Sequence, residues 1–133
     1  MMIEDTLVLI KPDAVRRRMI GQIITAVENL GLKIVQLNHK QLEENEASDL
    51  YKEHRGKWHF NRNIKHVTSG PSVAIHVQGS GAVKKCRDLV KTYREAHSDL
   101  VSLPANLVHA TSNSDDSLKE LASIGYGSYY EIN

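Results

Sequence analysis

The chain has one cysteine, Cys86, in 133 residues, so it can close no internal disulfide and build no zinc ribbon. That usage fits a reducing compartment. Aromatics are scarce at 5%, with a single tryptophan and a single phenylalanine, a poor match to a sheet that stacks RNA bases. Charge of one sign is also missing. Seventeen Lys+Arg against 16 Asp+Glu leave +1, which gives no global field for nucleic acid or an anionic membrane. A local basic cluster can still bind phosphate. No apolar run approaches the roughly 20 residues of a spanning helix. The opening MMIED has no basic leader followed by an apolar segment, so neither a secretory signal nor a membrane partner is expected and a cytoplasmic location is. What remains is 41% hydrophobic and 25% charged, the balance of a soluble globular protein. The length suits one domain over 1–133 with a genuine core.

Patterning divides this length into strands and helices. Thr6 to Ile10 is a short apolar, β-branched run that ends at Lys11-Pro12, which places Lys11 at the exit of a buried strand. Ile20, Ile23, Ile24, Val27 and Leu30 recur at helical spacing, and Gly31 stands where a helix end wants a left-handed residue. Leu32 to Leu37 alternates as a strand does. Glu44 to His54 reads as a helix, and Phe60, Ile64 and Val67 mark a shorter one. After the turn Ser69-Gly70-Pro71, a third strand runs from Ser72 to Val77, then a helix with Val83, Cys86, Leu89 and Val90 inward. Residues 91–105 show no clear period and read as loop. Asn106 to Thr111 is the fourth strand, and Ser114 or Asp115 caps a last helix through Ile124. This order predicts an α+β fold, a ferredoxin-like βαββαβ sandwich with a four-stranded antiparallel sheet covered by helices.

Few residues then stand out chemically. Gly79-Ser80-Gly81 lacks the full dinucleotide pattern and reads as a turn. Seven histidines are present, yet none pairs with a second ligand on one helix face, so no protein-held metal is predicted. His39, His66, His76 and His97 read as surface or partly packed residues. His109 differs, because it lies among Leu107, Val108 and Ala110 and is followed by a polar stretch. It is either a buried histidine satisfied by one hydrogen bond or a nucleophile; an imidazole serves as one when a neighbour fixes its tautomer and a cationic pocket presents the electrophile. Lys11 and Arg87 are suitable cations if they converge on it.

Three segments carry a resemblance. Thr6-Leu-Val-Leu-Ile-Lys-Pro-Asp-Ala-Val-Arg-Arg17, then Thr68-Ser-Gly-Pro71, then Asn106-Leu-Val-His109-Ala110 resemble, in this order, the signature segments of nucleoside diphosphate kinases. The likeness spans nearly the whole chain and fails mainly over 88–105 and the last nine residues. It implies a ferredoxin-like core and transfer of the γ-phosphate of a nucleoside triphosphate, ATP among them, to a nucleoside diphosphate. It implies Mg²⁺ bound to the nucleotide and a ping-pong cycle through phosphohistidine. By resemblance His109 is the nucleophile, Glu120 orients it, and Thr111 keeps a hydroxyl beside it. Lys11 reaches the phosphates and a sugar hydroxyl, Tyr51 meets the transferred phosphate, Arg87 holds phosphate, and Asn106 bonds the ribose 3′-hydroxyl.

Two departures from that family stand in the sequence. At the position of the base-stacking phenylalanine stands His59, flanked by Trp58 and Phe60, so that the histidine or a shifted tryptophan offers the flat face, and Leu103 falls where the family puts an aliphatic residue on the other side of the base. The long loop before the catalytic strand is shortened, and within what is left Thr92 and Arg94 take the places of the threonine and arginine that hold phosphate. The trimmed loop implies a homodimer or an assembly of dimers with a more open cleft. The alternative is a catalytically weakened nucleotide-binding or regulatory module of the same fold.

Overall fold

The computed structural model describes residues 2–102 and 105–111. The predicted last helix, Glu120 and Leu103 lie outside the described residues. Strand β1 spans Ile3–Ile10, β2 Lys33–Lys40, β3 Ser72–Ser80 and β4 Val108–Ala110. Their spatial order is β2-β3-β1-β4 and every neighbouring pair is antiparallel, which is the predicted ferredoxin-like sheet. The helices are α1 (Pro12–Arg16), α2 (Ile20–Glu28), α3 (Glu44–Leu50), α4 (Phe60–Val67) and α5 (Ala82–Ala96).

Alternation along β1 builds two cores. Val8 and Ile10 point to one face and pack with Val73, Ile75 and Val77 against Ile23, Val27, Cys86 and Val90 from α2 and α5. Leu7 and Leu9 point the other way, onto Ala47, Leu50, Tyr51, Ile64 and Val67 from the α3–α4 side. Burying a side chain of this size contributes about 2 kcal/mol, so both faces hold the sheet. The same period of two governs β4. Val108 and Ala110 join the first core, and His109, opposite Leu9 in the ladder, is turned to the α3–α4 face.

Several boundaries differ from the sequence reading. Pro12 does end β1, but it also opens α1, since its fixed φ and missing N–H suit a first helical turn. The helix expected from Glu44 to His54 stops at Leu50 and tightens into a 3₁₀ turn over Lys52–His54. Gly31 is left-handed, φ +80, as the end of α2 requires. Gly81 opens α5 at φ +64, and the Val83 N–H there donates to Glu4 Oε1 at 3.2 Å, so a carboxylate of the chain meets this helix start.

The larger correction concerns residues 91–105. They are not all loop, because α5 continues to Ala96 and carries both Thr92 and Arg94. Two histidines are also more deeply set than the sequence indicated. His76 is buried, its Nε2 lying 2.6 Å from Asp5 Oδ1, and His66 packs its Nε2 3.0 Å from Asp13 Oδ1.

Candidate active site

A cleft of ≈ 260 Å³ opens between the end of β1, the start of β4 and the α3–α4 connection. Lys11, Tyr51, Arg94, Asn106 and His109 form its inner part, and His54, Trp58, His59, Arg62 and Asn63 complete it. Six residues singled out in the sequence therefore share one space: Lys11, Tyr51, His59, Arg94, Asn106 and His109. Arg87 and Thr92 do not line it. Arg87 donates from Nη1 to the Ala110 carbonyl at 3.2 Å and faces a neighbouring hollow beside α5, and Thr92 is exposed. Glu120 and Leu103 are outside the described residues.

Each inner residue is delivered by local structure. Pro12 interrupts the strand and leaves Lys11 at its exit with only 4% exposure. The Lys11 ammonium donates to Asn106 Oδ1 at 2.7 Å, and its backbone N–H donates to the Leu107 carbonyl at 2.9 Å. Tyr51 ends α3 and brings its ring within 6.0 Å of the His109 ring, centroid to centroid. His109 is half-buried, so it is neither sealed in the core nor a fully solvated surface group. The half-buried ring sits between the two readings of the sequence, a buried histidine satisfied by one hydrogen bond and a nucleophile open to the cleft.

Arg94 belongs to both sides of the edge strand. Its Nε donates to the Asn106 carbonyl at 3.1 Å and its Nη2 to the Val108 carbonyl. With Arg87 on Ala110, the two guanidinium groups of α5 meet three carbonyls of the edge segment. An exposed row of carbonyls is a liability for any sheet edge, and this covers it.

The electrostatics favour an anion. Burial pushes the Lys11 ammonium down from 10.5 to about 8; Arg94 pushes the same way and Asp13 opposes. Burial also lowers Arg94, with the charge of Arg87 adding to it. Cations held in a desolvated, mutually repelling set gain when a polyanion enters. No carboxylate is among the described residues lining the cleft, and no group of three metal-ligating side chains occurs among the described residues. This donor set fits an anionic ligand.

Of the outer wall, the sequence reading placed His59 and its neighbour Trp58 near the base but missed Arg62 and Asn63. Trp58 is 79% exposed, and the Arg62 guanidinium lies 4.7 Å from its ring centroid. His59 sits edge-on to both Trp58 and His54, at 5.5 and 5.2 Å, and its Nδ1 is 3.4 Å from Asn63 Nδ2. Arg62 and Asn63 come three and four positions after His59, the spacing that brings them onto its side of a helix. Asp13 was also missed, and it is buried with one carboxylate oxygen on the Leu107 N–H at 2.9 Å.

Fold and cleft together define a ferredoxin-like protein with a cationic, aromatic-rimmed site for an anionic ligand. The family model described as nucleoside diphosphate kinase matches residues 4–125. A nucleoside diphosphate kinase of Rubrobacter xylanophilus is 40% identical over 126 residues, covering 89% of this chain and 95% of its own. One from Sulfurisphaera tokodaii is 35% identical over 130 residues, covering 92% and 88%. Among solved structures, the Halobacterium salinarum nucleoside diphosphate kinase in complex with CDP superposes with TM-score 0.83 at 31% identity, over 92% of this chain and 87% of that one. The Aquifex aeolicus nucleoside diphosphate kinase superposes with TM-score 0.84 at 24% identity, over 92% and 95%, and so supports the fold alone. The chain belongs to the nucleoside diphosphate kinase family, and it is an enzyme of phosphate transfer between nucleotides. Among the described residues no helix is long and apolar enough to cross a membrane.

Proposed function

We propose that the protein transfers the γ-phosphate of a nucleoside triphosphate to a nucleoside diphosphate by a two-step cycle through phosphohistidine at His109. The observation that carries this reading is that His109 opens onto the same cleft as Lys11, Tyr51, Arg94 and Asn106. In the first step a ring nitrogen of His109 forms a bond to the γ-phosphorus as the bond to the bridging oxygen breaks, and the nucleoside diphosphate leaves. In the second step a terminal oxygen of another nucleoside diphosphate takes the phosphoryl group and the imidazole is restored. The CDP held by the Halobacterium salinarum relative supports a nucleotide ligand here.

The residues take distinct parts. The Lys11 ammonium and the Arg94 guanidinium offset charge on the phosphate oxygens, where fixed donors contribute most because they need no reorganisation. Tyr51 offers its hydroxyl to the transferred group, and Asn106 bonds the ribose 3′-hydroxyl. The base lies against His59, since stacking tolerates any flat face. Arg87 and Thr92 reach phosphate only if their side chains turn from the positions seen, Arg87 from its bond to the Ala110 carbonyl and Thr92 from solvent. Glu120 orients His109. Mg²⁺ enters on the nucleotide as part of the substrate. The working unit is a dimer or an assembly of dimers.

Incubation with γ-labelled ATP tests the reading. Label that is acid-labile and base-stable, that appears on His109, and that moves to added nucleoside diphosphate is the expected result. Stoichiometric label on a His109→Ala variant removes His109 from the mechanism. A wild-type protein that binds nucleotide but takes no label favours the weakened binding module.

A further inference from the structure

Leu107 is fully buried and adopts φ +72, a conformation uncommon for any residue but glycine. The Val108 N–H donates to the Asn106 carbonyl at 2.9 Å, the two-residue span of a γ-turn centred on Leu107. A positive φ at the centre marks the rare, strained form of that turn. Strain of this kind persists only where the surroundings over-determine it.

The surroundings do so from both sides. The Leu107 carbonyl accepts the Lys11 N–H at 2.9 Å, and the Leu107 N–H donates to Asp13 Oδ2 at 2.9 Å. The other carboxylate oxygen, Oδ1, is 3.0 Å from His66 Nε2 on α4. An ionised carboxylate only accepts, so the proton of this contact belongs to His66 Nε2. Both side chains are nearly sealed, at 9% exposure for Asp13 and 11% for His66. Burial alone would raise the Asp13 carboxyl. The His66 and Leu107 hydrogen bonds and the charges of His66 and Lys11 outweigh it and hold the group below its ordinary value. An acid in a first helical turn often serves the helix itself, but α1 has no side-chain cap bond, and both oxygens of Asp13 have partners outside α1.

The turn fixes the residues on either side of it. Asn106, at its start, meets the Lys11 ammonium, and His109 is two residues beyond its centre. We propose that Asp13, oriented by His66, is a positioning residue for phosphoryl transfer, its carboxylate holding the Leu107 turn so that Asn106 and His109 stand in register with the nucleotide. This role rests on the reading of His109 as the nucleophile. It also joins the wall of the cleft on α4, which carries Arg62 and Asn63, to the strand that carries the imidazole. The geometry accounts for an acid directly after Lys11-Pro12, where phosphate binding alone gives no reason for one.

The test compares Asp13→Ala, Asp13→Asn and His66→Ala, each shown folded by its melting transition, in steady-state kinetics and in labelling of His109. A displacement of about 1 Å at a reacting group can cost 10²-fold, so Asp13→Ala is expected to lower kcat by roughly that factor with KM within about 3-fold of wild type. Asp13→Asn restores much of the rate, because an amide oxygen still accepts the Leu107 N–H and His66 can meet the NH₂ by changing tautomer. His66→Ala gives a smaller loss of kcat. Variants that melt earlier yet keep wild-type kcat per folded enzyme overturn the proposal, and so does a rise in KM with kcat unchanged. If Asp13→Ala does not fold, Asp13→Asn and His66→Ala decide: wild-type kcat in both overturns it. A wild-type chain that takes no label on His109 fails the nucleophile reading and this role with it. Normal labelling of wild type and Asp13→Ala at equal rates fails this role alone.

Discussion

The Lys11 ammonium and the Asn106 side-chain carbonyl lie 2.7 Å apart, although 95 positions separate them in the chain. The contact joins the exit of the central strand β1 to the entrance of the edge strand β4, and both residues line the cleft. An amide oxygen satisfies one of the three donors of an ammonium and, being neutral, does not cancel its charge.

The depressed value of Lys11 gives a pH prediction with opposite signs for binding and stability. Nucleotide binding should weaken as pH rises through about 8, where the free enzyme loses this charge. The unfolded chain keeps its proton to about 10.5, so between these values the unfolded state binds more protons and stability contributed by this group rises with pH. The difference in unfolding free energy between wild type and Lys11→Met should therefore shift toward wild type from pH 7 to pH 9.5. Isothermal titration should show at least about tenfold weaker binding by the variant at pH 7, the size of one lost charged hydrogen bond. Equal binding by both proteins would make Lys11 a structural strand end only.

Trp58 is the only tryptophan, it lines the cleft, and it is largely exposed. Its fluorescence is therefore a reporter of one place. A nucleoside diphosphate seated with its base toward His59 should change the Trp58 emission in a saturable titration. Trp58→Ala should weaken binding by about 1 kcal/mol, at the low end of what base–aromatic contacts contribute. Unchanged emission at concentrations that saturate turnover would move the base away from this wall.

Much of this arrangement was legible in the chain, and the exceptions have physical causes. Strands were readable because Leu7 to Ile10 and Val73 to Val77 alternate between two buried faces, and the inward helical positions Ile23, Val27, Cys86 and Val90 are aliphatic or thiol. The end of α5 was not. Its inward period continues from Val90 through Tyr93 to His97, whose rings lie 4.3 Å apart, and residues with polar tips do not register as an apolar stripe. Lys11, Tyr51, Asn106 and His109 could be picked out because a family pattern names them. Arg62, Asn63 and the Asp13–His66 pair could not, since their roles depend on which helix faces which strand, and that is decided by tertiary packing.

Assembly is the third expectation. Helix α5 ends at Ala96 and β4 begins at Val108, so the sequence between them is short where the family resemblance implies a long loop that packs near a threefold contact. A smaller surface buries less area, and contacts below about 1,000 Å² rarely persist. Sedimentation equilibrium should show a dimer, or dimers joined through another surface. A hexamer stable on dilution would count against this view of the link.

Arg94 and Thr92 are two residues apart on one helix and should respond oppositely to replacement. The Arg94 guanidinium donates to the carbonyls of Asn106 and Val108 and also lines the cleft, so Arg94→Ala strips a partly buried strand edge and removes a cation at once. The expected cost is about 1–3 kcal/mol of unfolding free energy, the range for leaving buried acceptors unpaired, with a fall in kcat/KM as well. Arg94→Lys should recover part of the binding and little of the stability, because an ammonium cannot span two carbonyls as a planar fork does. Thr92 is exposed, and Thr92→Ala should stay within about 0.5 kcal/mol of wild type with unaltered kinetics. Denaturant titration and steady-state rates on the three variants check both halves. A tenfold rate loss in Thr92→Ala would show that the threonine meets the phosphates in the nucleotide-bound enzyme.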